Sequence, residues 1–191
     1  MNDDSTLFQR LAWRVAERLA PAGHGRAVLV TSARHGEGRS YVAAALARAL
    51  SDQTAGAIGL VDCTSSDVPA LHDLVAALAE AKSSGQGRVV RSGLGGGDVT
   101  MLFRSARVME TVELLRRYLQ YVIIDGPLLA DSGVLSACTD GTLLVIDASR
   151  TRREIVRGSL QANPSVKQRM LGAVLNQAPR YVPGWLYQRS L

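Results

Sequence analysis

The runs RAVLVTS (26–32), AIGLVDC (57–63) and YVIIDGP (121–127) are short and apolar, with no alternation of polar and apolar residues. A strand half-exposed to water alternates, whereas one covered on both faces reads as a continuous apolar run. RVVRSG (88–93), GTLLVIDAS (141–149) and MLGAVLNQ (170–177) also read as strands. Between them lie stretches of helical character: SYVAAALARALSD (40–52), DVPALHDLVAALAEA (67–81) and SARVMETVELLRRYLQ (105–120). The second has Asp67 or Ser66 as its cap, and the third puts Val108, Val112, Leu115 and Leu119 on one side. Residues 6–19 place Phe8, Leu11, Ala12, Val15 and Leu19 on one stripe, an amphipathic helix ended by Pro21 and Gly23. Thr151 and Glu154 form a T-x-x-E pattern, which predicts a capping box opening a helix. Such alternation predicts an α/β fold, a mostly parallel, doubly wound sheet with helices on both faces. A chain of 191 residues can form it as one domain, with 1–22 as an N-terminal helix and 178–191 as an aromatic, basic tail.

In such sheets ligands bind beyond the carboxyl ends of the strands. The loop 33–40 and the acids Asp62 and Asp125 all fall there. Gly36 and Gly38 permit a tight backbone path in which successive N–H groups and a helix N-terminus surround anionic oxygens. Ser40 is placed to offer its hydroxyl to Mg²⁺. Against the pattern G-x-x-x-x-G-K-[ST], Gly38 and Ser40 match, but Ala33 and Arg39 stand where glycine and lysine are expected. A plain glycine turn with incidental acids is the competing reading. The shared position of the loop and both acids favours a nucleotide site.

The formal net charge of +5 is spread along the chain and suits nucleotides, acidic lipids or nucleic acid. No apolar run approaches the roughly 18–20 residues that cross a bilayer, and MNDDSTLFQR is unlike a signal peptide. The expected location is therefore the cytoplasm. Cys63 and Cys138 lack metal-ligand spacing and read as buried thiols, and His24, His35 and His72 read as surface or loop residues.

LVTSARHGEGRSYVAAALARAL, YVIIDGPLLADSGVLSACTDGTLLVIDASRTRREIV, LGAVLNQ and RYVPGWLYQRSL together resemble the cytoplasmic domain of bacterial tyrosine kinases. These belong with the polysaccharide co-polymerases that control exopolysaccharide and capsule chain length and export. They are distant relatives of the septum-site and chromosome-partitioning ATPases. The resemblance implies a P-loop fold with ATP and Mg²⁺ as cofactors. Gly36, Glu37, Gly38, Arg39 and Ser40, followed by Tyr41, fall on its Walker A loop. Asp62 falls on the first acid of the Walker A′ motif, Asp125 on the Walker B acid, and Asn176 where related ATPases contact adenine. The implied catalytic residues are Asp62, Asp125 and Arg39, and the implied Mg²⁺ ligands are Ser40, Asp62 and Asp125. Tyr181 and Tyr187 are the implied phosphoacceptors, although YVPGWLY also reads as an aromatic docking segment.

The chain also departs from the family pattern. Arg39 replaces the lysine, Thr64 the second acid of D-x-D, and Ser66 and Asp67 the basic residues that follow. The E-x-x-R-x-x-R helix motif that helps build the family's ring reads Thr6, Gln9, Ala12. Arginine is longer, planar and permanently charged, so it can hold phosphate while misplacing the reacting group. The expectation is an ATP-binding protein of polysaccharide biosynthesis with weak or lost kinase activity. An active autokinase is the alternative, and a partitioning-type ATPase on DNA a second one. A separately encoded membrane co-polymerase, which would recruit the chain to the inner face of the membrane, and a homo-oligomer are the expected partners; nucleic acid is not.

Overall fold

The computed structural model describes residues 3–19, 23–63, 89–93 and 106–178. Within them, six strands form one all-parallel sheet in the order β3-β2-β4-β1-β5-β6. The strands are β1 (Arg26–Ser32), β2 (Ile58–Asp62), β3 (Val89–Gly93), β4 (Tyr121–Leu128), β5 (Gly141–Asp147) and β6 (Met170–Asn176). The helices are α1 (Asp3–Arg18), α2 (Arg39–Gln53), α3 (Ala106–Tyr118), α4 (Gly133–Ala137), α5 (Arg153–Ala162) and α6 (Pro164–Gln168). The helix expected at 67–81, the glycine loop 94–98 and the tail from 179 lie outside the described residues.

The uninterrupted apolar runs become strands because both of their faces are covered. Val28, Val30, Ile58, Leu60, Tyr121 and Ile123 project to one side, where they pack with Ala12 and Val15 of α1 and with Val42, Leu46 and Leu50 of α2. Ala27, Leu29, Val61, Val122 and Ile124 project to the other and pack with Val112 and Leu115 of α3. Successive Cβ atoms of a strand alternate faces, so a strand that is apolar throughout requires helices on both sides. The edge strand β6 differs: it is only partly covered, with Ala173 and Leu175 exposed.

The capping box expected from Thr151 and Glu154 does not form. The residue flanking α5 is Arg152, which gives no side-chain cap. The Thr151 hydroxyl instead donates to Oε1 of Glu37, a buried acceptor that outcompetes a solvated helix end.

At the amino end of the sheet, Asp140 anchors β1 and α3. It accepts the Ala27 N–H at 2.7 Å, Arg26 Nη1 at 3.0 Å and Arg116 Nη2, while Arg116 Nε donates to the Gly25 carbonyl at 3.2 Å. The opposite, carboxyl end carries the loop and the acids.

Candidate functional site

β1 ends at Ser32 and α2 begins at Arg39, with Gly38 as the flanking residue. Gly36 (φ 80°) and Gly38 (φ 85°) are both in the left-handed region, which a residue with a side chain enters only at a cost. A Cβ on Gly38 would collide with the side-chain amide of Asn176, whereas the space around Gly36 is open. The loop is clamped by the end of β6. Asn176 Nδ2 donates to the Glu37 carbonyl at 2.9 Å, and Gln177 Nε2 donates to the Gly36 carbonyl at 3.1 Å. The Glu37 carboxylate, in a residue only 2% exposed, accepts the N–H of Arg34 at 2.8 Å, the N–H of Asp147 at 3.2 Å and the Thr151 hydroxyl. Its side chain is therefore committed to the protein, and only its backbone can face a ligand.

β4 runs between β2 and β1, and its register pairs Asp125 with Asp62 on one side and with Val30 on the other. Both acids are buried. Arg39 Nε donates to Asp125 Oδ1 at 3.1 Å, and Arg39 Nη1 lies 3.5 Å from Ser32 Oγ. The two side chains of this ion pair are 13% and 4% exposed, so the pair is nearly dry. Burial pushes the Asp125 carboxyl above its ordinary range; a hydrogen bond from Ser40 and the charge of Arg39 pull it back in part, and Asp62 adds to the rise. Cys63, beside these acids, is buried, and burial followed by the charges of Asp125 and Asp62 pushes its thiol up, so it stays neutral.

The fold thus brings Gly36, Glu37, Gly38, Arg39, Ser40, Tyr41, Asp62, Asp125 and Asn176 to one end of the sheet. Asn176 braces the loop, and Tyr41, more than half exposed, stacks edge-on with Phe8 of α1 at a ring distance of 5.6 Å. Tyr181, Tyr187, Thr64, Ser66 and Asp67 lie outside the described residues. Thr151, Asp147 and Gln177 are the loop's supports that sequence reasoning missed. Each sits just past or at a strand end, which is the one signal that could have singled them out.

Ser32 and residues 35–41 line a cavity of about 240 Å³. Its donors suit a phosphorylated ligand: loop N–H groups held in a nest, the start of a helix with no acid in its first turn, and a guanidinium. The oxygens of Ser40, Asp62 and Asp125 are of the kind a hard cation takes. However, Asp125 is already held by Arg39. Among the described residues no group of three or more His, Cys, Asp or Glu side chains converges to hold a metal.

No protein-family model matches the chain. Over 92 residues it is 29% identical to the tyrosine-protein kinase CpsD of Streptococcus agalactiae, a match covering 47% of this chain and 40% of the relative. Over 79 residues, 40% of this chain, it is 30% identical to the succinoglycan biosynthesis transport protein ExoP of Rhizobium meliloti, of which that stretch is 10%. The matched part is thus less than half the length of these curated relatives. Among solved structures, the kinase domain of the Escherichia coli tyrosine kinase ETK matches with a TM-score of 0.73 at 18% identity, over 94% of this chain and 77% of that one. The septum site-determining protein MinD of Pyrococcus horikoshii, solved with Mg-ADP, matches with a TM-score of 0.56 at 18% identity, over 86% and 76%. By sequence the chain is similar to bacterial tyrosine-protein kinases and to a succinoglycan biosynthesis transport protein, and its fold is the one seen in the ETK kinase domain and in MinD.

Proposed function

We propose that this chain is a nucleotide-binding, tyrosine-kinase-like component of exopolysaccharide biosynthesis and export, with phosphoryl transfer weak or lost. ATP binds over residues 36–41, with its phosphates in the loop cavity and Asn176 at the rim. Ser40, Asp62 and Asp125 are the residues that would hold Mg²⁺, with Oδ1 of Asp125 also held by Arg39. The functional partner is a membrane polysaccharide co-polymerase, which brings the chain to the inner face of the membrane, and a second copy of the chain. Tyr181 and Tyr187 are the candidate phosphoacceptors. Among the described residues no helix is long and apolar enough to cross a membrane, which is compatible with recruitment by such a partner.

The observation that carries this reading is the largely buried ion pair between Arg39 at the end of the loop and Asp125 of β4. Phosphoryl transfer depends almost wholly on positioning and charge stabilisation, and a small displacement of the reacting group costs about 100-fold in rate. A planar guanidinium held on Asp125 places its charge differently from the compact ammonium of a lysine. The test is an ATP titration of the wild type beside Arg39→Lys, followed by a phosphotyrosine blot of both. Nucleotide should bind the wild type, and phosphotyrosine should be stronger on Arg39→Lys. Strong wild-type phosphotyrosine would remove the claim of weak transfer, and absence of nucleotide binding would remove the site.

A further inference from the structure

We propose that Arg39 is a built-in counter-ion, so that this chain binds nucleoside di- and triphosphates without needing a divalent cation. The inference rests on the nucleotide reading above and adds how the bound charge is neutralised. Arg39 lines the cavity with Ser32 and residues 35–41, and its Nε is spent on Asp125 Oδ1 at 3.1 Å. Guanidinium carries five N–H donors in a planar fork. With Nε on the acid, the terminal nitrogens keep donors for phosphate oxygens, and the long 3.5 Å approach of Nη1 to Ser32 Oγ is easily exchanged for one. Ser32 does not depend on that approach, because its hydroxyl already donates to the Arg34 carbonyl at 2.9 Å. One side chain can therefore join the acid to the phosphate, the same charge link a divalent cation makes between a carboxylate and phosphate oxygens.

A cation approaching Asp125 would meet this guanidinium already held on Oδ1. Arginine cannot shed its charge by deprotonation, so its full positive charge stays beside the arriving ion and opposes it. Loop N–H groups and the start of α2 meet the remaining phosphate oxygens.

Isothermal titration of the wild type with ADP and with ATP, at matched ionic strength, in EDTA and in MgCl₂, decides the matter. The expected result is a Kd that differs by no more than about threefold between the two conditions, since every tenfold corresponds to a distinct interaction of about 1.4 kcal/mol. Arg39→Lys, checked for folding by circular dichroism, has a compact ammonium that cannot bridge both groups. It should lose roughly tenfold in affinity when Mg²⁺ is removed. Wild-type affinity that falls tenfold or more in EDTA would overturn the proposal while leaving the nucleotide site intact. Absence of binding in both conditions would overturn the nucleotide reading and this inference together.

Discussion

Glu37 carries a carboxylate that is almost dry, yet its recorded partners are neutral: two backbone N–H groups and the Thr151 hydroxyl. Hydrogen bonds to a charged group are stronger than neutral ones, and a buried donor left without a partner costs about 1–3 kcal/mol. Glu37→Ala would orphan the buried Asp147 N–H, leave the N–H of the exposed Arg34 to water and loosen the loop. It should lower stability in urea unfolding by about 1–3 kcal/mol for each buried donor left unpaired. The same variant should weaken nucleotide affinity, because the N–H groups of the loop are no longer held in their nest. Unchanged affinity in a folded Glu37→Ala protein would show that the loop keeps its shape without this anchor. GEGRS marks Glu37 as a loop residue, but nothing in the one-dimensional pattern distinguishes a solvated glutamate from one aimed at a neighbouring strand. Asn176 is similar: readable as a strand end, its contact with the loop depends on β6 lying beyond β5.

The elements that hold the site were the most legible part of the chain, because their periodicity is set locally. β1 spans the expected 26–32, and α2 and α3 start and stop within a residue or two of expectation. α2 both opens at the loop 33–40 and supplies the core under β1 and β4, where Leu46 is fully buried. Leu46→Ala should therefore cost about 2–5 kcal/mol in unfolding free energy, measured by chemical denaturation. Asp140 ties α3 to β1 from the far end of the sheet. Burial alone would raise its carboxyl, but the Ala27 N–H and the guanidinium groups of Arg116 and Arg26 outweigh it and hold the pKa below the ordinary value. An acid whose pKa is lowered on folding adds stability above its unfolded pKa and loses it as pH falls through the folded one. Wild-type stability should thus fall as pH drops below about 4, and Asp140→Asn should flatten that acid limb in pH-dependent urea unfolding. An unchanged limb would assign the loss to other carboxylates. The failed capping box at Thr151 shows the limit of local reading, since a cap motif cannot sense a buried acceptor from another element.

For the molecule as a whole, a ligand that binds only the folded state raises its stability, by about 2.7 kcal/mol at a hundredfold excess over Kd. For a chain of this size that corresponds to a rise in Tm of about 5–10 °C. ADP should produce that rise in a thermal melt, and a flat Tm at saturating ADP would count against the site. The sequence by itself determined the fold class, the strand–loop–helix cradle and the acids at the strand ends, because burial on both faces and glycine at positive φ leave local signatures. Only the tertiary structure decided that β4 lies between β2 and β1, which sets Asp125 beside both Asp62 and the loop. It also decided that Arg39 turns to that acid and that Glu37 turns to β5. Those choices depend on which strand is neighbour to which, and long-range pairing energies select that order where residue spacing does not encode it.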